Sequence, residues 1–300
     1  MKRVVCYFIL VLFIGSVFSS CSKDEEMITV PDNVAPIDET IEEVTISNYV
    51  QKTYIALLGR KPTETEQNDG FDALKEANVS LESRQSFVSG ILSASASSTI
   101  EAEYFESEFT RMRSEYLNGL DSADFAGDKA ILEFAKTLTA NPLEIALYDY
   151  EIARLDLLIG VEAQLKSKSV NVIECHKVLV NNFEYDQINM GTENFVVSLF
   201  QNFYHRYPTT YELTEGKNMV DGKSALLFTK EGKTKDNLID IFFSHGEYFE
   251  GEVRTNFLRF LYREPTNDEI ALLAASYQQN QDYQEVQKYI LTLDEYVGLE

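Results

Sequence analysis

The 300-residue chain has no tryptophan, three histidines, three cysteines and six prolines. Each scarcity closes off a class of function. His176, His205 and His245 fall on separate predicted segments, and none stands at the i, i+4 spacing that puts two imidazoles on one metal. Beyond Cys6 and Cys21 only Cys175 remains, so no disulfide can form within residues 22–300. Cys175-His176 lacks the upstream cysteine of a haem-attachment motif, and a lone cysteine between Ile173 and Val178 reads as apolar filler. No serine sits in a nucleophile elbow, and no glycine-rich run could cradle a phosphate. Without tryptophan, a sugar-stacking platform would have to come from the 17 tyrosines. Positive charge is also short: 26 Lys and Arg stand against 49 Asp and Glu, a net charge of −23. That balance argues against nucleic acid, whose phosphates need cations, and against lying flat on anionic lipid.

What is present is a repeated phrase. Leu199 to Glu212 reads LFQNFYHRYPTTYE; YIALLGRKPTETE ends at Glu66 and LRFLYREPTNDE at Glu269. Proline disfavours the α region for the residue before it, so Pro62, Pro208 and Pro265 end the incoming helices near Arg60, Arg206 and Arg263. Thr63, Thr209 and Thr266 then suit the N-cap of the next helix, with Glu66, Glu212 and Glu269 at the capping-box position. Apolar residues before each turn, such as Phe195, Val196, Leu199, Phe200 and Phe203, keep helical spacing and predict core. The three arginines fit the negative end of the incoming helix dipole, or the acids that open the next helix.

The N-terminus is a separate matter. Lys2 and Arg3 precede an apolar run from Val4 to Val17, too short to span a bilayer comfortably, and then Ser19-Ser20-Cys21. This order resembles the lipobox of bacterial lipoproteins. The resemblance implies a signal peptide over residues 1–20 and a mature chain whose Cys21 carries lipid, palmitate included. Loss of Lys2 and Arg3 leaves 24 basic and 49 acidic residues, a charge of −25. Ser22-Lys23-Asp24-Glu25-Glu26 is similar to the acidic export tract of surface lipoproteins in some gram-negative bacteria, which implies an outer-membrane protein facing outward. Residues 21–45 hold prolines and acids but no aromatic residue, and predict a flexible tether.

The remainder predicts an all-α fold of stacked antiparallel helical hairpin units, two to three of them related repeats, with an inserted helical hairpin. The division expected is an N-terminal helical domain over 46–190 and a C-terminal one over 191–300 that holds two repeat units. Helices are predicted from Ser47 to Leu58, with Gly59 as stop, after Thr63, after Ser80, from Glu101 to Leu117, from Ala130 to Leu138, from Pro142 to about Leu165 and from Val172 to Val180. Asn182 to Gly191 predicts a loop, with Thr192 capping the next helix. Leu226 to Phe228 suits strand or helix, and Glu231-Gly232-Lys233 a turn. A helix follows Thr234, closed by Ser244 to Tyr248, and the last runs from Tyr283 to Leu291 behind Asp282. FFSHGEY and ILTLDEY share a Glu-Tyr ending; the first copy has Ser95-Ala96-Ser97 where that ending is expected. VLVNNFEY, ending at Tyr185, looks like a unit end with no Arg-x-Pro-Thr start, so residues 100–170 are either a degenerate unit or an inserted hairpin.

An aromatic-Leu-Leu-Gly-Arg-x-Pro-Thr start, a variable second helix and an Ile-Leu-x-Ser-x-Glu-Tyr end resemble a helical module of secreted bacterial proteins of unknown function. That module is similar to the phycobilisome linker domain, and related helices occur in large cell-surface proteins of planctomycete type. The resemblance covers 47–98 and 172–300 and implies an adhesion or scaffold module; no position matches the linker's pigment contacts. Glu101/Glu103 and Glu106/Glu108 could hold a glycosidase carboxylate pair, though a solvated helix face explains them too. Asp121, Asp124 and Asp128 do not match a calcium loop. The function expected is non-catalytic, with no cofactor or metal: a membrane-anchored lipoprotein that binds a protein of the envelope. The alternatives are a glycan-binding accessory of a polysaccharide uptake system and an unrecognised hydrolase.

Overall fold

The computed structural model describes residues 41–92 and 99–299. The expected signal peptide, the lipidation site Cys21 and most of the tether lie outside the described residues, as does Ser95-Ala96-Ser97. Among the described residues the protein is all-α apart from one two-stranded hairpin.

The helices are α1 (Glu43–Leu58), α2 (Glu64–Glu76), α3 (Leu81–Leu92), α4 (Thr99–Tyr116), α5 (Ser122–Thr137), α6 (Pro142–Lys166), α7 (Val172–Val180) and α8 (Phe183–Ile188). After them come α9 (Thr192–Tyr204), α10 (Thr210–Val220), strands β1 (Ala225–Leu227) and β2 (Lys230–Gly232), α11 (Lys235–Phe243), α12 (Gly246–Leu261), α13 (Asn267–Asn280), α14 (Tyr283–Leu291) and α15 (Asp294–Val297). Thr40–Glu300 is one compact unit, and the boundary expected near residue 190 falls inside it. Helices from the two ends of the chain meet: α15 packs on α1 and α14 on α3. Tyr49 Oη donates to Leu291 O at 3.0 Å, and Arg259 donates to both Ala56 O and Glu108 Oε1 at 2.6 Å.

Local chemistry sets most helix ends. Gly59 closes α1 in the left-handed region, as expected of a C-terminal glycine. Asn141 caps α6 with Pro142 at the first position, and Thr234 and Asp282 cap α11 and α14. Gly251 is required by packing: a Cβ there would stand 1.7 Å from Phe203 O, so only glycine lets α12 cross the end of α9.

Three expectations are corrected. The stretch expected as a loop at 182–191 contains α8, because Asn182 Oδ1 accepts from Tyr185 N and nucleates a turn. Gly191, not Thr192, is the N-cap of α9; the Thr192 hydroxyl donates to Asp221 instead. Ser244 is the C-cap that closes α11, as expected, and His245 caps α12 directly after it. The strand turn falls at Phe228-Thr229, not at Glu231–Lys233. Both turn residues take positive φ, the pairing a two-residue hairpin needs, without the usual Asn-Gly signal.

Candidate interaction surface

The three repeated turns share one geometry. Thr63, Thr209 and Thr266 each accept from the backbone N–H of Glu66, Glu212 or Glu269, and that glutamate accepts from the threonine N–H. These are complete capping boxes. Arg60, Arg206 and Arg263 then grip the same carboxylates with both terminal nitrogens, at 2.7 to 3.0 Å. Fork-on-fork pairing of this kind is among the stronger side-chain contacts. Each guanidinium also lies over the aromatic six residues back: Tyr54, Phe200 or Phe257, at 4.9 to 5.7 Å. Arg60 and Arg263 hold Glu66 and Glu269 down at about pKa 2, with the threonine N–H helping. For Glu212 burial pushes upward, and Arg206 with the Thr209 N–H overcomes it to reach about 2.

Each arginine has a second acid that the repeat itself did not reveal. Arg206 pairs with Glu247 at 2.5 Å, Arg263 with Glu295 at 2.8 Å and Arg60 with Glu103 at 2.7 Å. All three glutamates precede a buried tyrosine: Tyr248, Tyr296 and Tyr104. The Glu-Tyr ending missing at Ser95–Ser97 is therefore present further on, as Glu103-Tyr104. The signal was in the sequence, since AEYFES at 102–107 parallels GEYFEG at 246–251.

The fourth turn, between α4 and α5, lacks the cation. Asn118 ends α4 in the left-handed region, as Gly59, His205 and Tyr262 end their helices. The next residue is Gly119 where the other turns have arginine. Asp121 and Asp124 still form a capping box at the start of α5. The matching Glu-Tyr is Glu184-Tyr185 on α8, with Tyr185 fully buried. Glu184 is 8 % exposed and its Oε1 has no hydrogen-bond partner. Burial first, then contact with Asp128 and the charges of Asp128 and Asp124, raises its carboxyl to about 7.

Beyond this turn, α5 and α6 form a long hairpin, cross-tied by Lys129–Asp156 at 2.6 Å and by Lys136–Asp149. One face of α6 carries Leu143, Leu147, Tyr150, Arg154, Leu158, Val161 and Leu165 at helical spacing. From Arg154 onward the stripe is buried; Leu158 and Val161 are at most 1 % exposed. Its first half runs past the body into solvent, with Leu143 81 % and Leu147 57 % exposed. On α5, Ile131 and Phe134, with Leu138 just beyond, are also exposed at 64 to 72 %. Eight of the nineteen large apolar residues exposed among the described residues lie between 131 and 159, so this is a patch and not ordinary scatter. Residues 121–166 carry nine acids against four bases, an acidic frame around the apolar stripe.

The other candidates take structural places. Glu101, Glu103 and Glu106 pair with Lys168, Arg60 and Lys166, and Glu108 is buried between Arg111 and Arg259. His176 is buried with its Nδ1 at 2.9 Å from Tyr248 Oη, and burial takes its imidazole down to about 3. Burial raises the Cys175 thiol to about 12, away from thiolate chemistry. Among the described residues no group of three His, Cys, Asp or Glu is placed to hold a metal, and no helix is long and apolar enough to cross a membrane. No family model matches the chain, and neither a curated protein nor a solved structure is similar to it.

Proposed function

We propose that the chain is a lipid-anchored binding module of the bacterial cell envelope, held through Cys21 in the outer membrane and facing outward, whose α5–α6 hairpin docks a protein partner. The observation that carries this reading is the stripe on α6, which is core along one half and bare along the other. A helix face patterned for burial calls for a second surface. The acidic frame fixes the chemistry of that surface: an amphipathic helix with an apolar stripe and flanking Lys or Arg. The non-catalytic part of the reading draws support from the four glutamates singled out on α4, each tied to a cation. The lipobox and acidic tract support the location.

The test is purification of a cross-linked partner from intact cells, with wild type and a Leu143→Glu/Leu147→Glu variant compared. The reading predicts a defined adduct in wild type, lost in the variant at equal expression and equal thermal stability. An adduct that survives the double substitution contradicts it. The second reading, glycan binding, is favoured by Tyr207 and Tyr262, 71 % and 89 % exposed beside the second and third arginine turns. Saturable binding of a surface polysaccharide that is lost on Tyr262→Ala would favour it over the first.

A further inference from the structure

Three turns in this molecule show what a capping-box acid and a Glu-Tyr glutamate do when they meet: they share one guanidinium. The fourth turn has both carboxylates and no guanidinium of its own. Asp124 is the capping-box acid, Glu184 the Glu-Tyr glutamate, and Asp128 lies one turn further along α5. Three cations on nearby helices are engaged elsewhere. Arg154 donates to Asn181 O, Glu151 and Asp186, Lys235 pairs with Asp186, and Lys129 with Asp156 and Glu133. Glu184 Oε1 is buried without a hydrogen-bond partner, while Asp124 is exposed.

We propose that Glu184, Asp128 and Asp124 form an acceptor for a guanidinium brought from outside the chain, an arginine of the docked partner standing where Arg60, Arg206 and Arg263 stand in the other turns. The inference rests on the docking reading above for the source of the arginine, but not for the chemistry of the three acids. A planar fork suits two carboxylates better than a point-charge ammonium does. A divalent ion is the poorer occupant, since these acids are not placed as a metal-binding group. At Gly119, which stands where the other turns carry arginine, an added Cβ would meet nothing within 4 Å. Asp124 and Asp128 sit on the first half of α5, the helix whose far end carries Ile131 and Phe134, so a partner helix on the hairpin lies within reach of both.

The test uses the full chain, with carbon-13-labelled carboxylates read by NMR at pH 7.5, and N-acetyl-arginine amide as the probe. The proposal predicts a saturable shift of the Glu184 and Asp128 carboxylates with a Kd in the millimolar range. It also predicts binding at least threefold weaker for N-acetyl-lysine amide, and at least tenfold weaker for the arginine probe after Glu184→Gln. Asp128→Asn, read at Glu184, gives a second variant with the same expected loss. A non-saturating shift, equal binding of the two amides, or equal binding by Glu184→Gln overturns the proposal. No partner is needed, so its failure leaves the Leu143/Leu147 result to decide the docking reading alone.

Discussion

The turns at Arg206 and at Gly119 join helices in the same way and differ in one charge. At Arg206 two carboxylates, a threonine cap and an aromatic face converge on a guanidinium, and Glu212 is held low. At Gly119 the acids remain and the guanidinium is gone, so Glu184 keeps its proton towards neutral pH. The contrast separates two uses of one motif. Where the cation is internal, the turn is a staple. Where it is missing, the turn is a socket, and the densest run of exposed large apolar residues among the described residues follows it.

The comparison can be broken at several levels. On the α6 stripe, Leu158→Ala should destabilise the fold by about 2–5 kcal/mol, while Leu143→Ala, on the same stripe, should stay within about 0.5 kcal/mol. Urea unfolding of the pair checks it, and equal losses would mean the overhang is core after all. Arg206→Met should cost about 1–3 kcal/mol, because it leaves Glu212 and Glu247 facing each other without their cation. Gly119→Ala, at the turn without one, should show no such electrostatic cost, its loss coming from φ +80 alone and unaffected by salt. Thr209→Ala should cost about 0.5–2 kcal/mol through the cap.

The pH response has opposite signs at the two kinds of turn. Glu184 has its folded-state pKa raised from 4.5 to about 7, so the folded chain binds a proton that the unfolded chain releases over that window. Stability from this group is full below pH 4.5 and falls as pH rises through 7. Glu252, raised by burial to about 8, adds the same sign over a wider range. Glu66, Glu212 and Glu269, held at about 2, contribute stability above pH 4.5 that is lost as pH falls towards 2. Thermal melts across pH 3 to 9 should therefore show a maximum on the acid side of neutrality. Glu184→Gln should flatten the upper limb and leave the lower one unchanged.

Much of this fold was legible because its punctuation is chemical and local. Pro, Thr and Glu at fixed offsets place three helix starts, and the capping boxes at Thr63, Thr209 and Thr266 stand where that pattern puts them. The partners of the arginines were half legible. Glu66, Glu212 and Glu269 lie six residues on, within local reach, but Glu103, Glu247 and Glu295 lie 32 to 43 residues away, and pairing at that distance is decided by packing. The hairpin turn at Phe228-Thr229 was hidden because neither residue is typical of left-handed backbone. The overhang was hidden for a different reason. Leu143 and Leu158 belong to one helical stripe, and periodicity cannot say where the body beneath it stops.

The most direct measurement places a photo-cross-linking amino acid at position 143 or, as a control, at the equally exposed Tyr262. Both proteins are expressed in the native envelope and irradiated. The account predicts one discrete adduct from position 143 and none from 262, with the 143 adduct weakened by Glu184→Gln. No adduct from 143, or the same adduct from both positions, would contradict it.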